Sequence, residues 1–214
     1  MLSNITETMN RYLSGVESQQ KIKAEKLKHV NSDYAGELRA KEERKVIEEF
    51  EQCVNSMRQK MLDTCNAYLY AAHTGVDKKI NENLSADFSA KLTALNAAAD
   101  AGALTPGYVI SVLNNTPQYL GKSALLALAH KNNILKELEY YAPDAIHNAI
   151  ANVANNVQEL ANLDASETNN LHAALLANDA SIASTNNIVN NFVAGKYETQ
   201  TLETSVRSRT NTAE

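Results

Sequence analysis

The sequence predicts an all-α fold, and three observations lead to that prediction. Apolar residues recur at spacings of three and four along most of the chain, as they do in helices that bury one face. Only 7 Gly and 3 Pro occur in 214 residues, so few positions favour turns. No stretch alternates polar and apolar residues over the length of a strand. We therefore expect long helices joined by few connections.

Residues 1–75 are predicted to form a long N-terminal helical arm, either as one helix or as two collinear helices. Between residues 5 and 38 the apolar positions follow a heptad seam with a polar gap. From Val46 the repeat lengthens to eleven residues, which favours a straight or slightly right-handed bundle. Gly75 is expected to end the arm, because glycine readily takes the left-handed conformation that follows many helices.

Residues 76–142 are predicted to form a middle domain of short helices. The first of these is expected to run from residue 80 to Gly102. Thr105–Pro106 and Thr116–Pro117 each combine a favoured N-cap residue with proline at the first helical position. Each pair is therefore expected to start a helix, and the second of these helices is expected to continue through residue 141.

Residues 143–195 are predicted to form the C-terminal helices, as a helical hairpin or as one long helix. Pro143 is expected to start this region, and Asp164 with Glu167 matches a capping box that favours a break. Gly195 is expected to end the last helix. The asparagine pairs at 186–187 and 190–191 flank the apolar face of that helix and are expected to face other copies or water. Residues 196–214 are polar and Thr-rich, which predicts a tail that only a partner would order.

The apolar seams are expected to serve either as the core of a monomeric bundle or as contacts between copies. An unbroken first helix would be on the order of 100 Å long, and the later helices are too short to cover it. We therefore predict a homo-oligomer that also contacts other structural proteins of its assembly. Asn178 is a polar seam position, which we expect to set the register. The residues assigned to the packing or oligomer seams are Phe50, Val54, Met57, Met61, Leu171, Leu175, Asn178, Ile182, Val189 and Phe192.

The charge distribution argues against one class of partner. The formal net charge is −5, and no Lys or Arg occurs between Lys136 and Lys196. An acidic surface repels phosphate groups, so direct nucleic-acid binding by the C-terminal half is not expected. The two helices that start at Thr-Pro resemble a helix-turn-helix in outline, but they lack the basic face that reads bases.

The sequence also bears on the compartment. Cys53 and Cys65 are expected on one helix, roughly 18 Å apart, which is too far for a disulfide. Reduced thiols fit synthesis in a reducing cytoplasm. The longest strongly apolar run, "ALLALA" at 124–129, is too short to span a bilayer, and residues 1–13 lack the apolar core of a signal peptide. We therefore expect a product without a transmembrane segment that is soluble when made, or that is exported by a route that leaves no cleavable signal.

A search for catalytic and ligand-binding motifs predicts no enzyme, no cofactor and no metal. Gly121-Lys122-Ser123 resembles the end of a phosphate-binding loop, but position 116 is Thr where that motif needs glycine. Asp144 and His147 have the spacing of di-metal bundles, but the matching place before the next histidine is Asn169. The 5 His and 2 Cys show no zinc-ligand spacing.

The composition resembles that of small helical virion proteins of bacteriophages, because the chain is rich in Ala and Asn, lacks Trp and has only 2 Cys. That resemblance implies a non-enzymatic structural role in a virion, as an internal or ejected, connector-associated or scaffold protein. The chain has a long N-terminal helix, then a middle segment with "LTPGYVISVLNN", and then a C-terminal helix with "NNLHAALLANDASIASTNNIVNNFV". This plan also resembles that of type III secretion filament and needle-tip proteins, which implies export into a filament. A cytosolic helical interaction module or chaperone is the remaining alternative.

Overall fold

In a computed structural model, which describes residues 2–197, the chain forms seven α-helices and no β-strand over that range. The all-α prediction is confirmed. Of the predicted tail, residues 198–214 lie outside the described residues, whereas Tyr197 is fully buried. The helices are α1 (Ser3–Asp33), α2 (Gly36–Ile80), α3 (Phe88–Asp100), α4 (Pro106–Asn114), α5 (Tyr119–Lys131), α6 (Pro143–Asn162) and α7 (Thr168–Val193).

The described residues divide into two compact units. Unit 1 comprises residues 2–72 and 148–187, and unit 2 comprises residues 73–147 and 188–197. Each unit therefore combines stretches that are distant in sequence, and the divisions fall inside α2, α6 and α7.

In unit 1, the N-terminal arm folds back on itself at a two-residue connection. Tyr34 is extended, with φ −124° and ψ 156°, and its backbone N–H donates to the carbonyl of Val30. Gly36 then takes a left-handed φ of +58°, which glycine adopts without the steric cost of a side chain. This glycine follows Asn31-Ser32-Asp33, a cluster that favours caps and turns.

Contacts between α1 and the unit 1 part of α2 show that the two helices run antiparallel. Lys26 Nζ lies 2.6 Å from Glu49 Oε2, and Lys23 Nζ lies 4.4 Å from the ring centroid of Phe50. Residues farther from the connection on α1 thus meet residues farther along α2. The two helices are not collinear, because the turn before Gly36 reverses the chain direction.

Helix α7 also packs antiparallel to α1 within unit 1. Thr6 Oγ1 donates to Asp179 Oδ1 at 3.1 Å, and His172 Nε2 lies 2.8 Å from Glu17 Oε1. Residues 163–167 separate α6 from α7, as the predicted break requires. Its local cause is the side chain of Asp164, which accepts a 2.8 Å hydrogen bond from the backbone N–H of Ser166.

Unit 2 is built from short helices, and three of the predicted boundaries there are wrong. Helix α2 continues through Gly75 to Ile80, and the next helix starts at Phe88 instead of residue 80. Helix α5 ends at Lys131 instead of continuing to residue 141, because Asn133 and Leu135 take left-handed φ values of 59° and 54°. The buried core of this unit comprises Phe88, Leu95, Val109, Leu113, Leu125, Leu126, Ala129, Ile134, Leu135 and Leu138.

The two Thr-Pro signals have different outcomes. Thr105 caps α4 as predicted, since its side chain accepts from the backbone N–H of Tyr108 at 3.3 Å. Thr116 instead is buried, and its hydroxyl donates to the carbonyl of Val112 at 2.8 Å. Helix α5 begins only at Tyr119. Thr116 therefore satisfies a carbonyl at the end of α4 and does not start the next helix.

Candidate functional site

The structure buries most of the predicted seam residues within this one chain. Met57 and Asn178 are half-buried, and the other eight seam residues are buried. Helices of the same chain thus cover these side chains, so contacts between copies would need other residues. The eight buried seam residues are Phe50, Val54, Met61, Leu171, Leu175, Ile182, Val189 and Phe192.

In unit 2, Phe192 lies in an aromatic cluster. Its ring centroid is 5.1 Å from that of Tyr119 and 5.0 Å from that of Tyr197. Tyr197 donates its hydroxyl to the carbonyl of Pro117 at 3.3 Å. Residue 197 was predicted to belong to a polar tail, but its tyrosine ring is part of this cluster.

One of the asparagines predicted to face other copies or water has a different role within unit 1. Asn186 Oδ1 accepts hydrogen bonds from the backbone N–H groups of Leu2, at 2.7 Å, and Ser3, at 3.3 Å. The first N–H groups of a helix have no partner within the helix. Asn186 on α7 therefore caps the start of α1 from a distant part of the sequence.

The surface of unit 1 that is least covered lies at the turn between α1 and α2. We call residues 24–49 the hairpin tip. Below the tip, Gln20 donates its side-chain amide to the carbonyl of Ala165, and Lys23 and Phe50 line a groove together with residues 162–166. The connection between α6 and α7 therefore lies beside α1 and α2 at the base of the tip.

The hairpin tip buries few of its side chains. All of its residues are described, and among them only Val30 and Val46 are buried. Tyr34, Leu38 and Ile47 are large apolar residues that stay exposed, with 52% of Leu38 accessible to solvent. Helix stability in proteins comes mostly from packing of an apolar face, so this segment has little packing support of its own.

Ion pairs lie along the tip where apolar packing is sparse. Lys26 joins the two helices through Glu49, and the hydrogen bond from Lys26 lowers the pKa of that carboxyl. Along α2, Glu42 accepts from Lys45 at 2.6 Å and raises the pKa of that ammonium group. Exposed ion pairs of this kind contribute little stability. The tip is thus a charged hairpin that leaves three large apolar side chains exposed.

Unit 2 contains a histidine pair that the spacing of residues did not predict. Nδ1 of His73 on α2 lies 2.7 Å from Nδ1 of His147 on α6, and the two ring planes differ by 13°. Nε2 of His147 lies 3.1 Å from Asp77 Oδ1. The sequence signal was the four-residue spacing of His73 and Asp77 on one helix face, but nothing in sequence placed His147 opposite them.

The residues considered for metal or phosphate binding lie within α5, α6 and α7. Among residues 2–197 no group of three or more His, Cys, Asp or Glu side chains is placed to hold a metal ion. Gly121 lies inside α5, where a Cβ would come within 2.6 Å of Thr116 Cγ2 and 3.0 Å of Phe88 Cε2. This glycine permits close packing and does not form a phosphate-binding loop.

The two cysteines are free thiols. Cys65 is fully buried, and burial raises the pKa of its thiol to about 11, so it carries almost no thiolate at neutral pH. Cys53 is half-buried on the same helix. Within residues 2–197, no helix combines the length and the apolar character that a membrane span requires.

These features define an all-α protein whose unit 1 carries a sparsely covered, charged helical hairpin. No family model matches the chain, and comparison with curated proteins and with solved structures also finds no match.

Proposed function

We propose that this protein is a non-enzymatic structural protein that associates with other copies of itself through the hairpin tip. The observation that supports this is the exposure of Tyr34, Leu38 and Ile47 on a segment whose only buried residues are Val30 and Val46. Exposed apolar side chains on an otherwise polar surface are available for contacts with another protein.

The charge of the tip favours a second copy as the partner. Residues 24–49 carry six Lys or Arg and seven Asp or Glu, so two tips have almost no net repulsion. The two signs alternate along α2, for example at Arg39, Glu43 and Arg44. An antiparallel pair of identical tips can therefore match opposite charges around the exposed apolar side chains, as two-fold symmetric interfaces do.

We place this association in a larger particle, with a bacteriophage virion as the preferred case. The support is compositional: abundant Ala and Asn, no Trp, and no motif for catalysis in the sequence. Locating the protein by imaging of assembled particles, and counting its copies there, tests this placement separately from self-association.

A matched pair of substitutions tests the tip as the contact surface. Leu38→Glu replaces one of the exposed apolar side chains of the tip with a charged one. Leu176→Glu makes the same change on α7, where 76% of Leu176 is accessible. Sedimentation from micromolar to near-millimolar concentration should show oligomers for the wild type and for Leu176→Glu, and loss of oligomers for Leu38→Glu.

Two results would contradict the proposal in different ways. A wild-type chain that stays monomeric over the whole concentration range would reject self-association. Oligomers that persist in Leu38→Glu but dissociate in Leu176→Glu would place the contact surface on α7. Far-UV circular dichroism of both variants should match the wild type, because both replaced side chains are exposed helical leucines.

A further inference from the structure

The histidine pair of unit 2 has one consistent assignment of protons when both rings are neutral. Oδ1 of Asp77 lies 3.1 Å from Nε2 of His147, so a hydrogen on that nitrogen faces the carboxylate and leaves Nδ1 of His147 as an acceptor. Nδ1 of His73 must then carry the hydrogen that lies between the rings, over 2.7 Å. The pair thus links two helices, α2 and α6, through a hydrogen bond between residues 74 positions apart.

The same geometry tolerates one added proton but not two. If His147 gains a proton at Nδ1, that nitrogen becomes the donor to Nδ1 of His73. The hydrogen of His73 then moves to its Nε2, and Asp77 faces the positive charge on His147. If both rings are charged, each Nδ1 carries a hydrogen, and two donors confront each other at 2.7 Å. No acceptor remains between them, and two positive rings repel each other.

We propose that His73 and His147 form a proton-operated latch between α2 and α6, closed with zero or one proton on the pair and opened by the second. The charged groups nearest in sequence are Asp77, Lys78 and Lys79 on α2 and Asp144 one turn before His147 on α6. Of these, Asp77 contacts the pair, and Lys79 is bonded to Glu82.

The surroundings of His73 oppose its protonation. Burial lowers the pKa of His73 from its usual 6.5, and the charge of His147 lowers it further, while Asp77 partly opposes both effects. In the unfolded chain His73 takes up its proton at the usual pH. The stability that a neutral His73 contributes is therefore complete above pH 6.5 and is lost as the pH falls below it, toward the lowered folded value.

Titration of the full chain, followed by NMR of the histidine rings, tests the latch. We expect His73 to become charged only at a pH below its usual pKa of 6.5 and to be the Nδ1–H tautomer near pH 7.5. His73→Asn keeps a donor toward His147 but cannot gain a proton. Between pH 6.5 and 4.5 its Tm should therefore fall by about 2–4 °C less than the Tm of the wild type.

Two further variants keep the test decisive. His130→Asn makes the same change at a histidine whose Nε2 contacts the carbonyls of Leu135 and Leu138, so its pH profile should resemble the wild type. Asp77→Asn removes the carboxylate that partly opposes the lowering of the His73 pKa, so His73 should become charged at a still lower pH. Equal pH profiles for the wild type and His73→Asn, or an Nε2–H tautomer of His73 at pH 7.5, would overturn the proposal.

Discussion

Replacing Gly121 with alanine measures how closely α5 packs in unit 2. A Cβ at this position would lie 2.6 Å from Thr116 Cγ2 and 3.0 Å from Phe88 Cε2. Optimal contacts between carbon atoms are about 3.5–4.0 Å. Thr116 is buried and held by its bond to the carbonyl of Val112, so its methyl group has little room to move.

The expected magnitude follows from two opposing effects. Overpacking of a core typically costs about 1–3 kcal/mol. Replacing a helical glycine with alanine raises the free energy of unfolding by about 1 kcal/mol, because alanine has the higher helix propensity. We therefore expect Gly121→Ala to lower the free energy of unfolding by up to about 2 kcal/mol, which corresponds to a Tm lower by up to roughly 8 °C.

Chemical denaturation of three glycine variants provides the assay. Gly107 on α4 has no atom within 4 Å of the added Cβ, so Gly107→Ala should leave stability unchanged or raise it slightly. At Gly15 on α1 the nearest atom is Sδ of Met57 at 2.8 Å, the far end of a flexible side chain. Gly15→Ala should therefore cost less than Gly121→Ala.

A double variant decides whether the predicted contact is the cause. Thr116→Ser removes the methyl group that meets the new Cβ and keeps the hydroxyl that bonds Val112. In the Gly121→Ala background it should restore part of the lost stability, with Phe88 accounting for the remainder. Equal stability of Gly121→Ala and Gly107→Ala, or no recovery in the double variant, would refute the reasoning.

Two further predictions concern the C-terminal helix. Asn186→Ala removes the acceptor that caps α1 and should lower the free energy of unfolding by about 0.5–2 kcal/mol, measured by denaturation. Asn190→Ala, at an exposed position of α7, is the control and should have little effect. Val189→Asp together with Phe192→Asp buries two charges at positions that are 0% exposed and should cost on the order of several kcal/mol, seen as a large drop in Tm. An unchanged Tm would mean that these two side chains are not in the core.

The parts of the fold that sequence predicted correctly depend on local chemistry. Thr105 before Pro106 caps α4, Pro143 starts α6, and Gly102 and Gly195 follow helices with φ values of +65° and +83°. Each of these signals acts within one turn of helix. The spacing of apolar residues likewise identified most of the buried face of α7, because that face follows directly from helical periodicity.

The errors arise where tertiary contacts outweigh local preference. Thr116 has the same local signal as Thr105, but burial and its bond to Val112 give it a different role. Asn186 looks like a surface residue in sequence, and only the antiparallel packing of α1 and α7 places it at an uncapped helix start. The pairing of His73 with His147 depends on the same kind of information, which a single sequence does not contain.

The reversal at Gly36 changes the argument for assembly. A collinear arm would expose a seam on the order of 100 Å long, but α2 and α7 of the same chain lie along α1, and the hairpin tip is what remains least covered. Its helical segments of 10 and 14 residues extend about 15–20 Å. A standard interface buries about 800 Å² on each partner, and one face of a hairpin of this length provides less area than that. We therefore expect two tips to bind each other weakly, and a stable assembly to require several copies whose tips are held close together.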